Sequence, residues 1–400
     1  MEKTLNLVHN EFKMVEPVIE RKSLPDYDLS VFEVSIKNTS EYAEVFKRKS
    51  FDKYRKLKFP VWKRAKLDGF KLPEYPEMTE LEINGPKIWK PFNLMGAEDY
   101  ELLEKLEFQG SDEKFVLLSD TFSSSGVIVR TEPGKYYETP LEVKRYGKAS
   151  IASSLFYVSR GSFLTLIINN SEEAEFVSEA SRFYIEDNAN LNILFLQNDS
   201  LRGYNFSNNF YILGENAKLR IYDVLLDGNV SAPYHLVKVI GKRTEVNILS
   251  AFFASGGMVI DALYTTRLVA PESTAKIKGI GAVAGGSKVV FRGTVDIKKG
   301  AKNSSGDEHS DVIILSKEAI VQAIPSLLVD ENEVNASHAA SVGTIDAEKM
   351  YYLMSRGLPE EEALKLIVMG SFNPVLEKIA DEFGKDYARR VYDVIQERIE

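Results

Sequence analysis

Four hundred residues exceed what one ordinary core needs and favour two or three folded units. A hydrophobic share of 44% beside 27% charged residues is that of a soluble globular chain, and a formal charge of −9 argues against the basic footprint of a nucleic-acid binder. There is no cysteine, which removes disulfides, thiolate metal sites and a cysteine nucleophile, and there are four histidines: His9, His235, His309 and His338. No apolar run reaches the roughly 18 residues of a membrane span, and the N-terminus lacks the pattern of a signal peptide. A cytoplasmic chain with neither nucleic acid nor membrane as partner is expected.

Residues 1–110 read as a helical region. Over residues 41–66, Tyr42, Val45, Phe46, Phe51, Tyr54 and Leu57 recur at helical spacing, and the Lys and Arg residues interleaved from Lys47 onward suit a solvated helix face. Pro60, Gly69, Pro73 and Pro76 then punctuate an irregular connection, and residues 100–106 suit one more short helix.

Residues 111–335 change texture. Short β-rich runs appear at Phe115-Val-Leu-Leu, Gly126-Val-Ile-Val and residues 163–168, 191–196 and 219–224, separated by Gly, Asn, Asp and Ser. No long amphipathic helix interrupts them, which argues against βαβ units. Residues that open successive runs, namely Gly134, Ser162, Ala189, Ala217, Glu245, Ala275 and Ala301, recur about every 28 residues. A helix-free repeat of that length predicts a β-solenoid, in which each coil buries its apolar face against its neighbours. A β-sandwich has similar strand spacing and is the competing architecture.

Two stretches within this region, and one histidine just beyond it, invite chemistry. The segment from Gly279 to Lys288 is glycine-rich, but Ser287 precedes Lys288 and β-branched Val289-Val290 follow, so it predicts tight turns and not a phosphate loop. Asp307-Glu308-His309-Ser310-Asp311 gathers oxygen and nitrogen donors. In a strand Asp307, His309 and Asp311 would share a face and suit a hard cation or iron, but after Asn303-Ser-Ser-Gly306 the segment reads first as an exposed turn. His338 lies between the β region and the C-terminal helices, where a lone histidine reads first as a packing residue.

Residues 336–400 return to helical period. Asp346 is placed to cap a helix that Gly357 ends, and Pro359 with Glu360, Glu361 and Glu362 opens the next. Ala363, Leu364, Ile367 and Val368 form an apolar stripe. Pro374 and Gly384-Lys385-Asp386 are expected to separate further helices, with Val375, Leu376, Ile379, Phe383, Val391, Val394, Ile395 and Ile399 facing inward.

Ala336-Ser-His338-Ala-Ala-Ser-Val-Gly343-Thr-Ile-Asp346, followed by Tyr351-Tyr-Leu-Met-Ser-Arg356-Gly357 and Gly370-Ser-Phe372, resembles the C-terminal signature of the SufB/SufD proteins of iron–sulfur cluster assembly. Residues 323–330, Gly126-Val-Ile-Val-Arg and Thr139-Pro-Leu-Glu are similar to upstream parts of that family. The resemblance implies a right-handed parallel β-helix (a β-solenoid) flanked by N-terminal and C-terminal helical regions, with a non-catalytic scaffold role. It implies pairing through the β-helix, SufB with SufD, and docking of SufC, an ABC-type ATPase, on the C-terminal helices. Tyr352, Leu353, Arg356, Leu364, Ile367 and Phe372 become the docking candidates.

The family's interface histidine falls on His338, its nearby cysteine on Ala336, and the cluster-building cysteine of SufB near Ser310. With Val342-Gly343 also of the SufD form, the resemblance points to a SufD-like subunit. Such a subunit holds no cofactor stably and contributes His338, with Glu308 and His309 nearby, to a transient cluster at a dimer interface. Two other readings stand beside it. One is a homodimeric SufB-type scaffold using His338, Glu308, His309 or Asp311 as ligands. The other is a β-helix polysaccharide lyase or hydrolase built on Asp307, Glu308 and Asp311.

Overall fold

The computed structural model describes residues 20–62, 67, 70–76, 80–106, 110–170, 174–197, 203–226 and 228–399. Among them the chain is mainly β, a solenoid core with helices at both chain ends. Four helices come first: α1 (Leu29–Ser35), α2 (Glu41–Tyr54), α3 (Ala97–Lys105) and α4 (Glu113–Phe122). Three follow the solenoid: α5 (Ala347–Ser355), α6 (Glu360–Phe383) and α7 (Lys385–Arg398).

The solenoid wall consists of two sheets. In the first, successive parallel strands begin at Phe163, Asn190, Lys218, Glu245, Thr274, Ser305 and Asn335. Their spacing is the predicted repeat, one coil per period. Two residues before most of these strands the chain turns through a left-handed residue: Gly161, Asn188, Asn216, Arg243, Glu272 and Asn303 all have φ between 54° and 67°. Each turn donates its backbone N–H to the turn of the next coil, as from Asn188 to the Glu215 carbonyl and from Asn216 to that of Lys242. Glycine and asparagine tolerate this conformation; Arg243 and Glu272 do so at a cost. Arg243 lies in ion pairs with both Glu215 and Glu272.

Alternation places one side chain of every two inside. Inward residues of both sheets form one continuous core, including stacked rings of Phe156, Phe183 and Tyr211 with centroids 4.6 and 4.4 Å apart. The outer face of the first sheet is covered by α6 and α7, whose Val368, Phe372, Val375, Leu376, Ile379, Phe383, Val391, Val394, Ile395 and Ile399 pack on Leu194, Tyr222, Leu249 and Ile280. The outer face of the second sheet is covered near its start by the N-terminal helices, with Phe115 stacked on Phe206.

Five expectations change. Phe115-Val-Leu-Leu is not a strand but the middle of α4. An apolar run that short has no decisive period, and Asp112 caps it by accepting from the Lys114 N–H. Lys47 is not on a solvated face: it is buried, and its amine donates to the Ser35 and Ser123 carbonyls at the C-terminal ends of α1 and α4. Only part of the glycine-rich stretch is turn. Gly279 and Gly281 lie in the strand Thr274–Val283, where an added Cβ would meet the rings of Phe291 at 2.6 Å and Phe252 at 1.9 Å. Pro374 does not end a helix, because buried Phe372 on one side and Val375 and Leu376 on the other hold both halves of α6 against the sheet. Residues 307–311 are not a turn but lie within the strand Ser305–Ile314. The tail of the helix predicted over residues 41–66 includes residues 63–66, which lie outside the described residues, and α2 itself ends at Tyr54.

Candidate functional site: the open end of the solenoid

The two ends of the solenoid differ. At the start, both sheets are closed by short antiparallel strands, Glu80–Asn84 on Leu141–Tyr146 and Trp89–Pro91 on Val127–Arg130. At the far end the sheets stop at two full-length parallel strands, Ile320–Val329 and Asn335–Thr344. Every residue of the second is exposed, and Ile320, Leu328, Val329 and Val342 present apolar side chains to solvent. A long, uncovered strand edge with exposed apolar side chains beside it invites pairing with another chain.

The sequence candidates divide between the two faces of this end. In the strand Ser305–Ile314, Asp307, His309 and Asp311 point outward together, as alternation predicts, and His309 Nε2 lies 2.9 Å from Asp311 Oδ2. The Ser337 hydroxyl donates to Asp307 Oδ1 at 2.5 Å. Glu308 and Ser310 point inward and are buried. Glu308 thus faces away from Asp307 and Asp311, so the three carboxylates of residues 307–311 do not share one face.

Glu308 is the unusual member. Burial pushes its carboxyl up to about 7, with the Asp307 charge adding to the effect. Among the described residues neither carboxylate oxygen has a hydrogen-bond partner, and neither does the Ser310 hydroxyl. The Glu308 side chain fills the space above Gly293 on the opposite sheet, where an added Cβ would meet Glu308 Cγ at 2.5 Å. His338 is its register partner on the last strand and so occupies the same inward row, exposed because nothing in the described chain lies beyond it. Among the described residues, no group of three or more His, Asp or Glu side chains is arranged to hold a metal ion.

Residues 142–371, more than half of the chain, match the family described as the SUF system FeS cluster assembly SufBD core domain. The chain belongs to the SufBD family. It is similar, at 25% identity over 323 residues, to an iron–sulfur cluster assembly SufBD family protein of Staphylococcus aureus (strain MRSA252), covering 78% of this chain and 69% of that one. A SufBD family protein of Staphylococcus epidermidis (strain ATCC 12228 / FDA PCI 1200) is 25% identical over 289 residues, 70% of this chain and 62% of its own length, so the present chain spans less than two thirds of that relative. This SufBD chain is thus an iron–sulfur cluster assembly protein on a β-solenoid.

The C-terminal candidates lie on a second surface. Asp346 caps α5 through the Glu348 and Lys349 N–H groups, and Gly357 ends its last turn at φ +95°. No residue of α5 is buried; Tyr351, Tyr352 and Met354 are exposed, and the Arg356 guanidinium lies 5.2 Å from the Tyr352 ring. Leu353 and Ile367 are half-buried, and half-buried Leu364 packs against the α6–sheet core. Phe372 is fully buried within that core, so it supports the surface from beneath.

One buried cluster escaped the sequence reading. Inside the solenoid Tyr264 Oη lies 2.7 Å from Asp223 Oδ2 and 2.9 Å from Ser250 Oγ, while His235 Nδ1 lies 3.1 Å from Tyr211 Oη. The available signal was Asp223 at an inward position between Ile221 and Leu225; its partners come from other coils. Among the described residues no helix is long and apolar enough to cross a membrane.

Proposed function

We propose that this SufBD protein is a SufD-like, non-catalytic subunit of a cluster assembly scaffold. It pairs through the open end of its solenoid with a SufB-like chain, and it binds a SufC-like ABC ATPase through α5 and the start of α6. The observation that carries the reading is an open end without cysteine: these 400 residues hold no thiolate for building a cluster, so sulfur ligands come from the covering chain. The nascent iron–sulfur cluster is cargo at that interface, with His338 as this chain's donor. Exposed Tyr351, Tyr352 and Met354 beside Arg356 supply the aromatic, methionine and arginine character of an interface core.

Co-expression with a tagged SufB-like chain and a SufC-like ATPase tests this. The three should co-purify, Tyr352→Ala should release the ATPase alone, and the isolated chain should retain no stoichiometric cluster after anaerobic reconstitution. A stable, coloured cluster on the isolated chain would support the homodimeric scaffold instead.

A further inference from the structure

We infer that Glu308 is a carboxylate ligand in a half-site for a divalent cation of the iron class, facing the solenoid interior beside His338 and completed by the chain that covers the open end. The inference rests on the pairing proposed above, and among the sequence candidates Glu308, His309 and Asp311 it singles out the one that faces the interior.

Glu308 is 1% exposed, yet both its oxygens lack partners among the described residues. A buried carboxylate ordinarily has hydrogen bonds or a cation beside it, because removing it from water is costly. The described residues supply neither. The inward positions around it are Gly306, Ser310 and Val312 on its own strand, and Ala336, His338, Ala340 and Val342 on the next. Across the interior, Gly293 and its register partner Pro325 carry no polar side chain. No Lys or Arg occupies any of these positions.

The site is also shaped for the carboxylate. A side chain at residue 293 would collide with it, so the glycine keeps the place open. Ser310, one inward step along the strand and equally buried, brings a second unpartnered oxygen. Glu308 and His338 occupy register-paired positions on adjacent parallel strands, close enough for an oxygen and an imidazole nitrogen to share one cation. Mixed carboxylate and imidazole donors suit divalent iron, cobalt or manganese, and not a thiophilic cation. Two side-chain ligands and a hydroxyl leave the coordination shell incomplete. The exposed strand Asn335–Thr344 is where further ligands would arrive.

The test uses Co(II), whose visible absorption reports its ligands, titrated anaerobically into the complex with the SufB-like partner and into the full chain alone. The wild-type complex should bind one Co(II) per open end. Glu308→Gln should weaken binding by at least about tenfold, Glu308→Asp should weaken it less, and Asp307→Asn with Asp311→Asn, both outward-facing, should leave it unchanged. Unaltered elution of the Glu308→Gln complex and an undiminished melting temperature separate loss of a ligand from loss of the fold. Equal Co(II) isotherms for wild type and Glu308→Gln, in a complex that forms, overturn the inference and leave the proposed pairing intact. If no complex forms, the pairing fails, and the isolated chain decides: binding at millimolar Co(II) that Glu308→Gln abolishes upholds the half-site, and indistinguishable isotherms end it.

Discussion

The sealed and open ends of the solenoid handle buried charge in opposite ways. Near the start, Arg145 is buried with its guanidinium 2.6 Å from Glu179, and Arg182 is held by both oxygens of Asp120 at 2.6 and 2.9 Å. Short antiparallel strands that include Glu80, Glu82 and Pro91 cover both sheet edges there. At the far end a buried carboxylate has no partner among the described residues, and two full-length strand edges are bare. Single buried atoms such as Arg145 Nη2 and Glu142 Oε1 lack hydrogen-bond partners at the sealed end too, but there the buried arginines each sit against a carboxylate. At the open end the whole Glu308 carboxylate stands without an opposite charge among the described residues, beside a bare strand edge where another chain can bind.

The largest effect expected from breaking this contrast is at the sealed end. Glu179→Ala strands the Arg145 guanidinium and should cost about 3–5 kcal/mol in urea unfolding. At the open end the sign should reverse. Glu308→Met removes an unpartnered carboxylate for an apolar chain of similar size, and at pH 8 should stabilise the isolated protein by about 2 kcal/mol. A loss of stability would mean that Glu308 has a structural partner, and the contrast would fail.

Lys47 sharpens the comparison through pH. Burial pushes its amine down to about 7, from 10.5 when exposed. Between those values the unfolded chain binds the proton and the folded chain does not. Stability should therefore rise with pH from about 7 towards 10.5, by at most about 1.4 kcal/mol per unit, and Lys47→Met should remove that slope. Denaturant melts from pH 7 to pH 10 would show it. The smallest effect concerns the turns common to both ends. Glu272→Gly, at φ +59°, should gain about 0.5 kcal/mol, the relief of a left-handed residue exceeding the added chain entropy.

Much of the fold is legible because it is local and repeated. The coil repeat, the caps at Asp346 and Gly357, and the inward stripes of α6 and α7 each follow from short-range pattern. The failures share a cause. Pro374 remains helical and Lys47 is buried because of contacts made by distant segments. At the site, alternation alone places Asp307, His309 and Asp311 on one face and Glu308 on the other, and the signature around His338 is enough to suggest the family.

By itself, then, the sequence determines the coil length, the helical ends and the absence of thiolate ligands, since these depend on composition and periodicity. Only the tertiary structure decides that Glu308 faces Gly293 without a partner, and that His338 sits beside it on an uncovered strand. Gly293 precedes Glu308 by half a coil, on the opposite wall, and His338 follows it by a full coil, on the next strand of the same wall. What sets their proximity is the stacking of coils, a contact that no local pattern encodes.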